Sequence, residues 1–160
     1  MSNEFLNMLA DSWLGNMMRD IFWMWPFMEN WHFLGLSILF GALLAIDLRV
    51  LGFAKSIPMK PVMWLIPLAL VGFAINLITG IFFFCGDPFR YYYNTAFQWK
   101  MAMIVLAGIN ALWFWFGEHT KLAKLAVGEE AEIPAKMIAF ISLALWIGVI
   151  VMGRLIPYLE

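Results

Sequence analysis

Apolar residues run almost unbroken through four stretches of the chain, about 25–47, 61–85, 97–117 and 134–157. Each matches the roughly 20 residues that a helix needs to cross a hydrocarbon core of about 30 Å. Pro26, Pro61 and Pro134 stand near the starts of three of them, where a missing amide donor leaves no hydrogen bond unmade. Pro67 falls inside the second stretch and predicts a kink there. The linkers are short, "DPFRYYYNTAF" between stretches two and three among them, and favour antiparallel neighbours.

Ahead of the first stretch the pattern changes. Phe5, Leu9, Trp13, Met17 and Ile21 recur every four residues, with Leu6, Leu14 and Met18 beside them, while Asn3, Glu4, Asp11 and Arg19 fall elsewhere. That spacing predicts one amphipathic helix lying in the membrane interface over residues 1–24. The predicted fold class is therefore all-α: a four-transmembrane-helix up-down bundle over 25–160, preceded by the N-terminal interfacial helix.

Composition agrees with a lipid bilayer as the chain's surroundings. Of its 160 residues 64% are hydrophobic and 13% charged, against about half and about a quarter in soluble domains. No basic cluster is present to neutralise a run of phosphates, so nucleic acid is not an expected partner. The single Cys85 excludes an intramolecular disulfide, a CxxC pair and covalent haem attachment through CxxCH. The N-terminal residues lack the pattern of a cleavable signal. Loop charge is richer on the side of Arg49, Lys55, Lys60, Lys121, Lys124 and Lys136, which predicts a multi-pass protein of the bacterial inner membrane with both termini periplasmic.

Ionisable groups within such spans are costly and draw attention to themselves. Counted as helices in alternating directions, the spans bring Glu29, His32, Lys100 and Arg154 to one depth near the outer face. Structural roles are open for each: Arg154 and Lys100 can snorkel to the headgroups, and Glu29 can pair with a cation or cap a helix. Imidazole snorkels poorly, so His32 stands out. Gly35 lies one turn below His32, and Gly72, Asn76 and Gly80 share a face of span two. These small residues suit close helix packing, as do Ser37, Gly41 and Ala45, or a slot for a flat macrocycle. They also permit a homo-oligomer or docking into a larger membrane complex. At the inner end Asp47 is expected to pair locally with Arg49 or with another helix, and His119 to be a solvated loop residue.

One histidine in this layer suits a single haem b, with apolar walls from the aromatics and propionate contacts from Arg154, Arg90 or Tyr91–Tyr93. His32 is the leading axial ligand, with Lys100 or a methionine opposite, and Asn76 and Gly35 nearby. Copper is the competing metal, since Met24, Met28 and His32 fall four residues apart and thioethers suit Cu(I). A cofactor-free structural or assembly subunit is the third reading. Hydrolytic and nucleotide motifs are missing.

"ENWHFLGLSILFGALLAIDLRVLG", "GFAINLITGIFFF", "YYNTAFQWKMAMIVLAGINALWF" and "GRLIPY" resemble the successive signatures of an uncharacterised family of bacterial four-span membrane proteins. More remotely, a histidine followed by glycine in span one and a lysine opening span three resembles CopD-like copper-resistance domains and the HemJ-type membrane protoporphyrinogen oxidase. The HemJ-type resemblance implies the geometry of a haem b site on His32 and Lys100, and no activity. The function expected of a chain holding such a group is electron transfer or redox chemistry with a lipophilic partner, a quinone or a porphyrin.

Overall fold

A computed structural model describes residues 3–159; Met1, Ser2 and Glu160 lie outside the description. Four helical spans are long and apolar enough to cross a membrane: Met24–Leu51, Met59–Gly86, Thr95–Leu122 and Ile133–Tyr158. The expected all-α arrangement of four spans is present, and no strand occurs among the described residues.

The first span is one continuous helix, α3 (Met24–Leu51). Pro26 sits in its first turn, where it breaks nothing. The helix ends at Gly52, whose φ of 98° lets the chain leave in the left-handed region. Span two is interrupted instead. A short α4 (Met59–Met63) is followed at Trp64 by α5 (Leu65–Gly86). The break falls where Pro67, having no N–H, cannot bond the carbonyl of Met63, so the predicted kink lies just before the proline. The short α6 (Pro88–Tyr93) links spans two and three, and span three is α7 (Thr95–Trp113), a π-helical stretch Phe114–Glu118, and α8 (His119–Leu122). Span four is α9 (Ile133–Leu155), closed by a 3-10 turn.

The predicted single helix over 1–24 is corrected. Asp11 and Ser12 divide it into α1 (Asn3–Ala10) and α2 (Trp13–Asp20), and Ser12 caps the second by accepting from the Gly15 amide at 3.1 Å. Serine at that position satisfies an orphan amide better by starting a new helix than by continuing the old one. Leu6, Gly15 and Met18 are buried, and α2 packs on the outer end of α5. Arg19 fastens it there by donating to the Gly86 carbonyl at 3.4 Å and the Ala10 carbonyl at 2.6 Å. Trp13, at the start of α2, and Phe22, just beyond its end, are 74% and 90% exposed.

Packing between spans is uneven. α5 lies against α3, α7 against α9, and α3 against α9, whereas α5 and α7 share no extended interface. Close approach of α3 and α5 rests on missing side chains: a Cβ on Gly72 would stand 2.6 Å from the Leu39 nitrogen, and one on Gly35 2.7 Å from Asn76 Nδ2. Toward the inner end Ile46, Val50, Met59, Met63, Leu122, Ala135 and Ala139 form the main core. A second cluster of Leu39, Ala42 and Ala69 sits nearer mid-membrane, with Phe73 and Trp146 packed on it.

Candidate functional site

His32 and Lys100 lie at one level in the outer half of the bundle. Span two adds the acceptor that orients the histidine: His32 Nδ1 is 2.7 Å from Thr79 Oγ1. The threonine proton is committed elsewhere, because its hydroxyl donates to the Ile75 carbonyl at 2.8 Å and toward that of Asn76 at 3.2 Å. The hydrogen-bond network therefore assigns the ring proton to Nδ1, which donates to Thr79, and leaves the Nε2 lone pair unused. Phe83 presents itself edge-on to the imidazole at 5.5 Å between centroids.

Lys100 reaches the same level from α7. It lies over Gly153 of α9, where a Cβ would stand 3.4 Å from the lysine Nζ. Its charge acts on His32, although α3 and α7 are not packed together. Among the described residues Lys100 has no hydrogen-bond or ion-pair partner. All four spans thus contribute at one depth, with His32 and Lys100 as the diagonal pair and Thr79 and Gly153 between them.

Aromatic pairs bracket this layer. Above it Phe84 and Phe97 stack at 5.7 Å, and Tyr91 tilts onto Phe97 at 5.3 Å. Burial pushes the Tyr91 phenol up to about 12, with Arg90 acting in the opposite sense, so it stays a neutral donor. Below it Phe73 and Trp146 meet edge-on at 6.4 Å across the other diagonal. Counting residues from Thr79 and Gly153, that pair is about 9–10 Å deeper.

Other candidates lie apart from the pair. Glu29 accepts from the Trp25 indole at 3.2 Å on the exposed side of α3. Arg154 turns outward over the Tyr158 ring, 5.7 Å from its centroid. Gly35 and Asn76 serve the α3–α5 contact: the space beside Gly35 is filled by Asn76 and Ile75, and Asn76 donates to the Gly72 carbonyl at 3.0 Å. A slot for a macrocycle does not open at Gly35. Open surface hollows occur at Lys60, Pro61 and Trp64, and at Asp87, Phe89, Arg90, Tyr93 and Asn94, and neither is lined by His32 or Lys100. His119 is not a solvated loop residue: it is half-buried in α8 at the inner end of span three, its ring tilted against Trp115 with centroids 4.4 Å apart. No group of three or more His, Cys, Asp or Glu residues among those described is arranged to hold a metal ion.

Thr79 was not singled out by sequence pattern. Its signal is slight: it is the only hydroxyl residue in α5, three positions after Asn76. Asn94 was missed too, and it holds spans three and four together by donating to the carbonyls of Ile156 at 2.9 Å and Leu159 at 3.0 Å while capping α7.

The chain matches a family of unknown function (DUF6644) over residues 5–159. No curated protein and no solved structure matches it.

Proposed function

We propose that this chain, which belongs to the family of unknown function DUF6644, is a membrane protein that binds one b-type haem in its outer half. Electron transfer or redox chemistry with a lipophilic partner, a quinone or a porphyrin, would follow from such a group. The observation that carries the reading is the pairing of a histidine whose Nε2 is unused with a lysine that has no partner. A half-buried cation kept within a span without a counter-charge is costly, which favours a functional role for it.

The donor set suits a haem iron. Thr79 holds the imidazole by its Nδ1–H, the outer-shell contact that fixes a ligating histidine and raises its basicity. Lys100 would be the second residue to hold the group, or would donate to a bound partner. Phe83, Phe84, Phe97, Phe73 and Trp146 supply apolar walls, and the neutral Tyr91 a donor for a carboxylate. A macrocycle would enter between α5 and α7, the sequence-adjacent spans without an extended interface. The iron itself would supply the one-electron chemistry. The remote similarity to CopD-like domains and HemJ-type oxidases, which rests on His32 and Lys100, is in line with this reading. Location in a bacterial inner membrane with periplasmic termini belongs to the same proposal and rests on loop charge.

Visible spectra of protein purified from haem-replete cells, oxidised and then reduced with dithionite, test the reading. A Soret band that is lost in His32→Ala supports it, and no porphyrin absorbance sinks it. Copper at one equivalent instead would favour a Cu(I) site, since α3 is unbroken and keeps Met24, Met28 and His32 along one strip.

A further inference from the structure

Two buried side-chain polar atoms among the described residues lack a hydrogen-bond partner, Asp47 Oδ2 and Asn110 Oδ1. Their residues are 6% and 7% exposed. Both reach the same part of α9 from different neighbours. Asp47 of α3 lies within reach of the Ser142 hydroxyl, and Asn110 of α7 donates its Nδ2 to the Ile138 carbonyl at 3.1 Å. Ile138 and Ser142 are one helical turn apart on one face. Their depth is that of the inner half of the bundle, well separated from the His32–Lys100 layer.

No cation answers Asp47. Arg49, one of the expected partners, is turned away: its guanidinium donates to the carbonyls of Ile57 at 2.6 Å, Ala126 at 3.4 Å and Glu129 at 3.5 Å. On α9 Lys136 pairs with Glu130. On α4 Lys60 is exposed, and α5 carries no charged residue. Arg19 and Asp20 of α2 and Lys100 of α7 lie toward the opposite end. An ionised carboxylate buried in a span without a counter-charge would be costly, and a proton would remove that cost. Protonation turns Oδ2 into a donor, and Asn110 Oδ1 is an acceptor without one.

We infer that Asp47, Ser142 and Asn110 form a proton-binding site in the inner half of the membrane, with the proton on Asp47 Oδ2 directed at Asn110 Oδ1, directly or through one water. The step is simple uptake of a proton by a carboxylate, with no redox partner. It is independent of the haem proposal. While neutral, the site ties spans one and three to span four. Loss of the proton leaves an uncompensated charge there, so release goes with opening of the inner half to water.

Infrared spectroscopy of the full chain in lipid nanodiscs at neutral pH reads the site directly. Expected is a protonated-carboxyl C=O band that shifts in D2O and is missing from Asp47→Asn. Ser142→Ala should move that band to higher frequency, because the carbonyl loses its donor. Asn110→Leu should move it too, with Asn110→Ala as the second variant if the leucine protein does not assemble. Absence of an Asp47-dependent band overturns the inference. So does a carboxylate band from Asp47 that responds to Na⁺, which makes the site a cation site, and a band indifferent to both Asn110 variants removes Asn110 from it.

Discussion

Thr79 Oγ1 accepts the Nδ1–H of His32 at 2.7 Å, and this contact joins spans one and two at the depth where Lys100 arrives from span three. The threonine can do so because its own proton is held by the Ile75 carbonyl one turn back. Thr79→Val keeps the shape and removes the acceptor. Haem affinity, read by Soret titration of the apoprotein, should fall roughly 10- to 100-fold, the usual effect of losing a contact behind a metal ligand. Thr79→Ser should retain most of it. Equal affinities in the valine and serine variants would show that the hydroxyl does not orient the ring.

Gly72 and Gly80 are two turns apart on α5 and meet opposite surroundings. A Cβ at Gly72 would run into the Leu39 nitrogen and the Gly35 carbonyl, both backbone atoms that have little freedom to give way, whereas one at Gly80 would meet nothing within 4 Å. Gly72→Ala should destabilise the bundle by about 1–3 kcal/mol, the range for overpacking. Gly80→Ala should be neutral or stabilising by up to about 1 kcal/mol through helix propensity. Unfolding in mixed micelles distinguishes them. Similar losses in both would mean that α3 and α5 do not cross at Gly72.

Arg49 is 1% exposed, and its three carbonyl partners lie in the loop after span one and the loop before span four. Arg49→Ala leaves those carbonyls without a donor and opens a void beneath them. A loss of about 3 kcal/mol is expected, because hydrogen bonds to a charged group are among the stronger ones. Limited proteolysis between residues 123 and 132 should quicken along with it. Arg49→Lys should rescue little, since one ammonium cannot span three acceptors in a fork.

Glu130 bridges two lysines, Lys136 at 2.6 Å and Lys55. Their hydrogen bonds and charges hold its carboxyl down at about 2, from an ordinary value of 4.5. A depressed carboxylate stabilises the fold at pH above its unfolded value and loses that contribution as the pH falls toward the folded one. Thermal midpoints of the parent and Glu130→Gln should thus differ by a constant amount above pH 4.5 and converge as pH drops toward 2. The difference should be small and shrink with salt, because the groups are exposed. A gap that widens on acidification would rule this bridge out as its source.

Hydropathy alone was enough to place the spans, because a membrane demands long apolar runs and the chain has four. Their ends were short by a few residues: α3 starts at Met24 and continues to Leu51 because Asp47 and Arg49 are tolerated inside it by bonds to span four and to the loops. Depth was legible too, since residue counting set His32 level with Lys100. Azimuth was not. Glu29 and Arg154 share that depth and face outward, onto Trp25 and Tyr158. A one-dimensional count fixes how far along its axis a helix residue lies, but which neighbour it faces depends on packing, and here that is set by Gly35 and Gly72. Of the two partners open to Asp47, Arg49 or another helix, it is α9 that it faces, because residues two apart on one helix point about 200° apart.

Lys100 is a cation without a partner inside the bundle, above Gly153, and stability and function should pull apart there. Methionine has a similar length and no charge to desolvate. Replacing an uncompensated polar group by a well-packed apolar one is commonly stabilising, so Lys100→Met should raise apoprotein stability by about 1–3 kcal/mol. The same change removes one of the two groups that meet in the outer layer. Reduced and oxidised spectra of haem-loaded Lys100→Met should therefore differ from those of the parent in band position, while its unfolding midpoint rises. A variant less stable than the parent would mean that the lysine is held by interactions of its own, and its place in a ligand site would lose its main support.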